Sequence, residues 1–285
     1  MSVKGSGTIF EQRSVEKTVQ EIEKSLITTF RKPIWSKFTK AIREFEMIQT
    51  GDKIAVAISG GKDSLMMAKL FQELHRHGRQ NFELVFLAMD PGYHESVRQM
   101  VKENCEYLGI PVQIVKSDIF DVVDKIGDSS PCYMCARMRR GVLYRMAEEL
   151  GCNKLALGHH FTDVIETTMM NVLFSGNFKT MLPKLQAENF EGMTLIRPMY
   201  YIHEDRIKSF SAVNGIIMMN CGCAIAEKGD SGMRAATKVL IRELKEKYPN
   251  VEKSIFQSAR NVNVDAILDW KQDGEKFSFM DQYKK

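Results

Sequence analysis

The sequence lacks the segments that place a protein in a membrane. Its first residues show no charged stretch followed by an apolar run, and no apolar run approaches the ~20 residues that a membrane-spanning helix needs. Internal repeats and low-complexity segments are also missing, and 44% of the 285 residues are hydrophobic. These features predict a folded, globular, cytoplasmic protein without a membrane partner.

A strong excess of charge of either sign is missing as well. The formal net charge is +4, which permits a nucleic-acid partner without requiring one. Charge alone therefore does not select a class of ligand.

A strand, a glycine turn and a helix start follow one another between Ile54 and Ser64. The segment IAVAISGGKDS reads as a buried strand, a turn at Ser59, Gly60 and Gly61, and the beginning of a helix. Unpaired N–H groups and the positive end of the helix dipole make such a turn an anion site, and phosphate is the expected guest. The turn lacks the four-residue spacing of a Walker loop.

Lys62 and Asp63 narrow the chemistry of this turn. A carboxylate repels a bound phosphate unless a cation lies between them, so Asp63 beside Lys62 indicates Mg²⁺ held against a polyphosphate. The structural alternative is a corner in which serine and aspartate only cap the helix. The segment SGGKDS resembles the signature loop of the PP-loop ATP pyrophosphatases, which cleave ATP to AMP and pyrophosphate and so adenylate a substrate oxygen.

Strands and helices alternate from residue 51 onward. Strands are predicted at 54–58, 83–90, 112–118 and 153–160, near Leu195 and at 215–219, and helices at 64–77, 94–108, 137–150, 163–175 and 204–213. Repeated strand–helix units predict an α/β fold with a doubly wound, parallel, Rossmann-like sheet. Ligands bind at the carboxyl ends of such strands, so the strand ends at Ser59, Met89 and Gly158 should converge on one cleft.

Helical extensions are expected on both sides of this sheet domain. The predicted domains are an N-terminal extension over 1–50, the sheet domain over 51–225, and a C-terminal helical segment over 226–285. The expected helices of the extensions span 15–45 with a break at Pro33, 231–247 and 251–260. We expect residues 1–13 and the polar tail from 271 to be poorly ordered.

A second group of polar residues follows the strand that ends near Gly158. Asp163 and Glu166 lie three residues apart at a helix start, where carboxylates favour the dipole and can approach Mg²⁺. First-turn caps have the same pattern, and His159 and His160, taken singly, favour a structural role at the strand end. The expected position beside the cleft favours a functional role for Asp163.

Four of the six cysteines form two close pairs, Cys132 with Cys135 and Cys221 with Cys223. In a reducing compartment they are not a disulfide framework, so they indicate metal or redox chemistry. The first pair opens a helix, as in thioredoxin-like pairs, but the second pair favours one shared metal site. Spacing alone leaves zinc and iron–sulfur both open. The arginines that follow Cys135 can hold RNA phosphates or pair with nearby acids.

Taken in order, SGGKDS, PCYMCARMRR, GHH with Asp163, PKL, IRPM and a late cysteine resemble the tRNA 2-thiocytidine synthetase family of PP-loop ATP pyrophosphatases. The resemblance runs from about Phe38 to about Val262, and the order and spacing of the motifs carry it. It implies an ATP-dependent tRNA sulfurtransferase that adenylates C2 of a tRNA cytidine and replaces its oxygen with sulfur. The implied cofactors are ATP, Mg²⁺ and a [4Fe-4S] cluster.

The resemblance also implies roles for individual residues. Lys62, Asp63 and Asp163 would be catalytic, with both aspartates near Mg²⁺ and Met89 packing on adenine. The implied ATP-binding residues are Ser59, Gly60, Gly61, Lys62, Asp63, Ser64, Met89, Gly158 and His159. Three cysteines would hold the cluster and leave one iron free to carry sulfur: Cys132, Cys135 and Cys221, with Cys223 as the alternative third ligand.

Two departures from the family pattern bear on these roles. The chain has Cys221-Gly222-Cys223 where the family has Cys-x-x-Cys, and a fourth protein ligand would close the open iron. Thr162 stands where related enzymes often have another acid, which bears on Mg²⁺ binding beside Asp163.

The implied partners are tRNA and a sulfur donor such as a cysteine desulfurase, and a homodimer is a family expectation. The rival interpretations are another PP-loop enzyme, making 2-thiouridine or a lysidine-type product, and a non-catalytic zinc- or nucleotide-binding RNA module. The cysteine pairs speak against lysidine formation, which needs no sulfur carrier.

Overall fold

The computed structural model describes residues 15–78, 80–117, 119, 131–217 and 232–283. The chain divides into two compact units, one drawn from 1–163 and 182–230 and the other from 164–181 and 231–285. The domain boundaries predicted near residues 50 and 225 stay predictions. The segment expected to be disordered, 1–13, lies outside the described residues.

A six-stranded sheet organises the described part of the first unit. Its strands are β1 (Lys53–Ile58), β2 (Glu83–Asp90), β3 (Val112–Lys116), β4 (Lys154–Ala156), β5 (Lys184–Gln186) and β6 (Thr194–Ile196). They lie in the order β3-β2-β1-β4-β6-β5, and only β5 runs antiparallel to its neighbour. The predicted doubly wound parallel sheet is confirmed. The sequence does not predict β5, because three residues are too few to show a strand period.

The helices of the described residues largely follow the predicted ones. They are α1 (Val19–Ile27), α2 (Ser36–Glu44), α3 (Lys62–His77), α4 (Glu95–Tyr107), α5 (Pro131–Glu149), α6 (Phe161–Ser175), α7 (Glu204–Val213), α8 (Met233–Lys247) and α9 (Val251–Ser258). A π-helical turn over Arg31–Trp35 separates α1 from α2 at the predicted break, because Pro33 has no N–H to donate. Helix α5 begins at Pro131 rather than at residue 137, so the first cysteine pair lies within it.

Apolar strands form the core of the first unit. Ala55 of β1 and Leu155 of β4 are fully buried and belong to the cluster that packs against Ala147 of α5. The alternating residues of β1, Ile54 and Val56, are fully buried too. Strands covered on both faces are typical of parallel sheets and read as continuous apolar runs in the sequence.

An ionic network joins the N-terminal helix to the sheet unit. Glu23 of α1 accepts hydrogen bonds from Lys69 of α3 at 2.6 Å and from both terminal nitrogens of Arg76 at 2.5 and 2.6 Å. Lys69 is completely buried and also donates to the carbonyl oxygen of Leu108. The hydrogen bonds from Arg76, opposed by burial and supported by Lys69, hold the pKa of Glu23 at about 2.

Two expectations about irregular segments are wrong. Residues 215–217 were expected in a strand, but Gly215 has a φ of +63° and the N–H of Ile216 donates to Ser211, so this segment caps α7 instead. Residues 218 and 219 lie outside the described residues.

The tail from 271 was expected to be poorly ordered, but its described residues form a hairpin of β7 (Asp269–Gln272) and β8 (Glu275–Ser278). An Asp-Gly turn at Asp273 and Gly274, both with positive φ, closes this hairpin. The rings of Trp270 and Phe277 stack across it at 5.5 Å. The Asp-Gly turn is the signal in the sequence that indicates this hairpin. Within the described residues, no helix combines the length and apolarity needed to cross a bilayer.

Candidate active site

The predicted anion-binding turn lies between the end of β1 and the start of α3. Gly60 has a φ of +83°, a conformation that glycine adopts without strain, and Gly61 caps α3. The hydroxyl of Ser64 accepts hydrogen bonds from the N–H and hydroxyl of Ser59 at 3.1 and 3.2 Å and donates to the carbonyl oxygen of Gly61. Ser64 is buried and therefore braces the turn from inside. The arrangement presents the N-terminus of α3 at the carboxyl edge of the sheet.

Gly158 brings the end of β4 against this turn. A Cβ atom at position 158 would lie 3.3 Å from the carbonyl carbon of Asp63 and 3.3 Å from the nitrogen of Ser64, so a side chain there would force backbone atoms apart. The predicted convergence of these two strand ends therefore depends on glycine at this position.

Lys62 is enclosed by two carboxylates. Its ammonium lies 3.1 Å from Asp63 and 3.2 Å from Glu204, and its side chain is 17% exposed. Burial lowers the pKa of Lys62, but Asp63 and then Glu204 outweigh that effect and raise the pKa above its ordinary value. Lys62 is therefore a permanent positive charge at the turn, where the phosphates of a nucleotide would be bound.

A single histidine joins the two predicted catalytic aspartates. The Nε2 atom of His160 lies 3.6 Å from Oδ1 of Asp63, and Nδ1 lies 3.3 Å from Oδ2 of Asp163. The backbone N–H of Asp163 donates to Nδ1 at 3.4 Å, and the backbone N–H of His160 donates to Oδ2 of Asp163 at 3.0 Å. Asp63 and Asp163 thus belong to one site. His160 makes these contacts, although His159 was the histidine predicted to bind cofactor.

Asp63 fits a role as a cation ligand. Its Oδ1 atom is buried and forms no hydrogen bond, and a buried carboxylate oxygen in that state is costly unless something else compensates its charge. Hard carboxylate oxygens suit Mg²⁺. No group of three or more potential metal ligands occurs among the described residues, so a magnesium ion at Asp63 would take water and phosphate oxygens as further ligands.

A cavity of about 220 Å³ opens beside the turn, between the ends of β1 and β2. Ile58, Ala88, Met89 and Ile114 give it apolar walls, and Ser59 lies on its lining where the turn begins. Its position and apolar walls suit a nucleobase. Met89, predicted to pack on adenine, lines this cavity.

The helix that carries the first cysteine pair covers the same region. Arg139 of α5 donates a hydrogen bond to the hydroxyl of Tyr93 at 2.8 Å, and Tyr93 lines the cavity. Met138 and Val142 of α5 pack against Met89 and its neighbour Ile119. The cysteine helix therefore lies directly against the wall of the cavity.

The predicted cluster ligands are described only in part. The backbone of Cys132 and Cys135 lies at the beginning of α5, but the side chains of these two residues are outside the described structure. Cys221 and Cys223 lie outside the described residues altogether. The other two cysteines, Cys105 and Cys152, are buried, and burial raises the pKa of Cys105 to about 12, as for thiols of a protein core.

Glu204 is a site residue that the sequence analysis missed, and Thr162, noted there only for Mg²⁺ binding, is the residue that positions it. The hydroxyl of Thr162, at the start of α6, accepts a hydrogen bond from the N–H of Glu204 at the start of α7. This contact places the carboxylate of Glu204 on Lys62. Glu204 also contacts Lys208 at 3.2 Å. The one signal in the sequence for Glu204 is its position six residues after Pro198 of the IRPM segment. A glutamate at a helix start is otherwise common, because it favours the helix dipole.

The sheet, the turn without Walker spacing and the Lys62–Asp63 pair define a PP-loop protein. Residues 31–219 match the family described as the PP-loop domain. The tRNA-cytidine(32) 2-sulfurtransferase of Pelobacter propionicus is 38% identical over 232 residues, which cover 81% of this chain and 86% of that protein. The enzyme of the same name from Geobacter sulfurreducens is 36% identical and covers 84% of this chain and 93% of its own. The chain belongs to the tRNA-cytidine 2-sulfurtransferase family of PP-loop proteins.

A solved structure is similar as well. The U34-tRNA thiolase NcsA from Methanococcus maripaludis, solved with its [4Fe-4S] cluster, has a TM-score of 0.64 and 25% identity and covers 79% of this chain and 76% of that chain. The fold expected from the alternating strands and helices is thus shared with a protein that thiolates tRNA.

Proposed function

We propose that this chain is an ATP-dependent tRNA sulfurtransferase that converts a cytidine of tRNA to 2-thiocytidine. The observation that carries the proposal is the meeting of Lys62, Asp63 and Asp163 at one turn, in a chain that covers most of the length of its sulfurtransferase relatives. The same turn, the adjoining cavity and the cysteine helix supply the parts that this reaction needs.

ATP would bind along the carboxyl edge of the sheet. The adenine ring would enter the cavity beside Met89, where the apolar walls exclude water from its faces. The triphosphate would then reach the N-terminus of α3, where the dipole and the ammonium of Lys62 favour negative charge. Ser59, Gly60 and Gly61 form the backbone of that turn, and Gly158 allows the end of β4 to close it from the other side.

Mg²⁺ would be held by Asp63 together with phosphate oxygens, with Asp163 close by. A bound magnesium ion would neutralise charge that develops on departing pyrophosphate. The protein's own part is to present Asp63 with an unsatisfied oxygen and to keep its partner His160 oriented through Asp163. When ATP binds, its phosphates would compete with Asp63 and Glu204 for the ammonium of Lys62.

We propose that Cys132, Cys135 and Cys221 hold a [4Fe-4S] cluster, with Cys223 as the alternative third ligand. Cysteine thiolates are the usual ligands of such clusters, and positions 132 and 135 share the helical face of position 139. The helix that carries them borders the nucleotide cavity, because Arg139 bonds Tyr93 on the cavity lining. The cluster would supply the sulfur atom that replaces oxygen.

The chemistry proceeds in two balanced steps. The O2 atom of cytidine attacks the α-phosphorus of ATP, pyrophosphate leaves, and the C2 oxygen becomes bonded to AMP. Sulfide then adds to C2, and the C2–O bond breaks with AMP as the leaving group, so the product carries C2=S. Lys62 and the N–H groups of the turn stabilise the negative charge of the first transition state, an effect worth several kcal/mol in such sites.

The substrate is tRNA, whose target base must leave its stack to reach the site. We propose a cysteine desulfurase as sulfur donor, a homodimeric assembly and a cytoplasmic location. The sulfur donor follows from the sulfur atom that the product requires, and the cytoplasmic location follows from the tRNA substrate. The assembly is carried over from the family resemblance.

The proposal is tested by the modified nucleosides of tRNA. A strain without this gene should lose 2-thiocytidine and keep its other thiolated nucleosides, and the wild-type gene should restore it. A D63N gene should not restore it, whereas a control gene with the exposed Asp205 changed to Asn should. Loss of 2-thiouridine with 2-thiocytidine intact would instead assign the chain the type of reaction that NcsA performs.

The cluster is tested separately on the purified protein. Anaerobically purified wild type should be brown with broad absorbance near 400 nm, and the C132S and C135S variants should be colourless. A C105S variant is the matched control, because Cys105 is a buried core thiol. A colourless wild-type protein that contains zinc would refute the iron–sulfur assignment.

A further inference from the structure

Arg197 is a buried charged residue that the proposed ATP chemistry does not use. It follows the last residue of β6, Ile196, whose carbonyl oxygen accepts a hydrogen bond from Leu157 at the end of β4. Arg197 therefore lies at the carboxyl edge of the sheet, one strand beyond the Gly158 segment. The cavity beside Met89 lies on the opposite side of β1.

The charge of Arg197 is poorly compensated by the described residues. The residue is only 6% exposed, one terminal nitrogen donates to the carbonyl oxygen of Leu182, and its buried Nε atom has no hydrogen-bond partner. No ion pair of Arg197 occurs among the described residues, and the carboxylate of Asp163 favours its charged form only from a longer distance. A buried cation in this state is costly unless an anion completes its surroundings.

A second arginine lies on the helix that covers these strand ends. Tyr144 of α5 packs in one cluster with Leu157 and Leu195, and Arg140 lies one helical turn before Tyr144. Burial is the main cause that lowers the pKa of Arg197 to about 10, and the charge of Arg140 on α5 lowers it further. Both guanidinium groups also act on the hydroxyl of Tyr144, one helical turn after Arg140. The two guanidinium groups repel each other. An oxyanion that accepts hydrogen bonds from both of them would offset this repulsion and give the Nε atom of Arg197 a partner.

We propose that Arg197 and Arg140 form a subsite for one phosphate group, on the substrate side of the nucleotide turn. The proposal rests on the proposed function, because it takes the turn as the place where ATP reacts with a tRNA base. The phosphate has two possible sources with the same chemistry. It is either a backbone phosphate next to the target nucleotide or the pyrophosphate that leaves ATP.

The alternative is a purely structural role. Arg197 also binds the segment before β5 through the carbonyl oxygen of Leu182, and its own N–H donates to Pro183 at 2.9 Å. In that case R197M would lower stability without changing phosphate binding. The two roles are separable because Arg140 is exposed and lies on α5, whereas the structural contacts with Leu182 and Pro183 are those of Arg197.

The test measures tRNA binding and pyrophosphate inhibition on the full chain. The variants are R197M, R197K and R140M, and the control is R206M, which removes an exposed arginine of α7 whose partner is Asp205. Dissociation constants for tRNA are measured over a series of salt concentrations, inhibition constants are measured for inorganic pyrophosphate, and melting temperatures are recorded for each protein.

If the subsite holds an RNA phosphate, R197M raises the dissociation constant for tRNA about 10- to 100-fold. It also lowers the salt slope, which is the slope of the logarithm of the binding constant against the logarithm of the salt concentration, by about 0.7 to 1 in magnitude. If it holds pyrophosphate, R197M raises the inhibition constant of pyrophosphate by a similar factor and leaves the salt slope unchanged. Either result supports the proposal, and R197K should retain more of the binding than R197M.

The proposal is overturned if R197M and R140M bind both ligands as R206M does. If R197M fails to fold, R140M decides the question alone. The failure of the proposed function looks different, because wild-type protein would then form no 2-thiocytidine on the same tRNA, whatever the arginine variants bind.

Discussion

Replacing Glu23 by Gln should destabilise the first unit, because it removes the only carboxylate that contacts Lys69 among the described residues. The lysine ammonium is fully buried and would keep the oxygens of Gln72 and Leu108 as hydrogen-bond partners, with Glu73 as a carboxylate that acts on it without contact. Breaking a buried pair on one side typically costs 3–5 kcal/mol, since the remaining charge stays buried.

The two partners of the pair have opposing effects on stability: burial lowers the pKa of Lys69, which disfavours its charge, whereas the hydrogen bonds from Arg76 lower the pKa of Glu23, which favours its charge. E23Q acts on the glutamate, so the shift of Glu23 sets the order of magnitude. The pKa of Glu23 falls from 4.5 to about 2, a difference of about 2.5 units, and at 1.36 kcal/mol per unit this corresponds to about 3 kcal/mol. The glutamate side chain is 11% exposed, so solvent screening reduces the value only slightly. We expect E23Q to lower the free energy of unfolding by about 3 kcal/mol at pH 7, measured by urea titration.

The pH dependence gives a second reading of the same quantity. Because the folded-state pKa is depressed, the stabilisation is complete above pH 4.5 and is lost as the pH falls toward 2. Wild type and E23Q should therefore converge in acid. The control is E95Q, which removes an exposed partner of Arg98 and should cost below about 1 kcal/mol. A loss in E23Q no larger than in E95Q, or one independent of pH, would refute this reasoning.

Three further predictions concern the turn. D63N should reduce tRNA-dependent pyrophosphate release about 100-fold. Its tRNA binding, measured by filter retention, should stay within about twofold of wild type, and an equal loss of both would mean misfolding. G158A should raise the KM for ATP severalfold because of its backbone contacts, whereas G141A, with nothing within 4 Å of its Cβ position, should leave the KM unchanged. E204Q should move the alkaline limb of the pH–rate profile to lower pH, since Glu204 helps to raise the pKa of Lys62; an unmoved limb would exclude a role for this carboxylate in the charge of the lysine.

Much of the fold is readable from the sequence because its strands are buried on both faces. The run Ile54–Ile58 is apolar throughout and its end is fixed by glycine, so strand and turn are both predictable. Short elements are different. β5 has three residues, and its place in the sheet is set by pairing with β6 rather than by its own pattern. The C-terminal hairpin carries an Asp-Gly turn, but its aromatic pair becomes visible only when the strands are paired.

The site residues also fall into those that local sequence predicts and those that it does not. Lys62, Asp63 and Asp163 are predictable because each lies at a strand end or helix start, positions that local sequence reveals. His160 and Glu204 are not, because their roles depend on which neighbours the fold supplies: His160 reaches Asp63 only through the close approach at Gly158, and Glu204 reaches Lys62 from a helix that begins far along the chain.

The strand order explains how one edge can serve two substrates. Read from β2 through β1 and β4 to β6, the edge presents the nucleobase cavity, the phosphate turn, the histidine-linked aspartates and then Arg197. Neighbouring parallel strands lie ~4.8 Å apart, so these groups are spread over roughly 14 Å. A nucleotide bound from the cavity to the turn would cover only the first half of this edge. Under the proposed function the second half would be left for the nucleotide that is to be modified, and the buried charge of Arg197 lies in that direction.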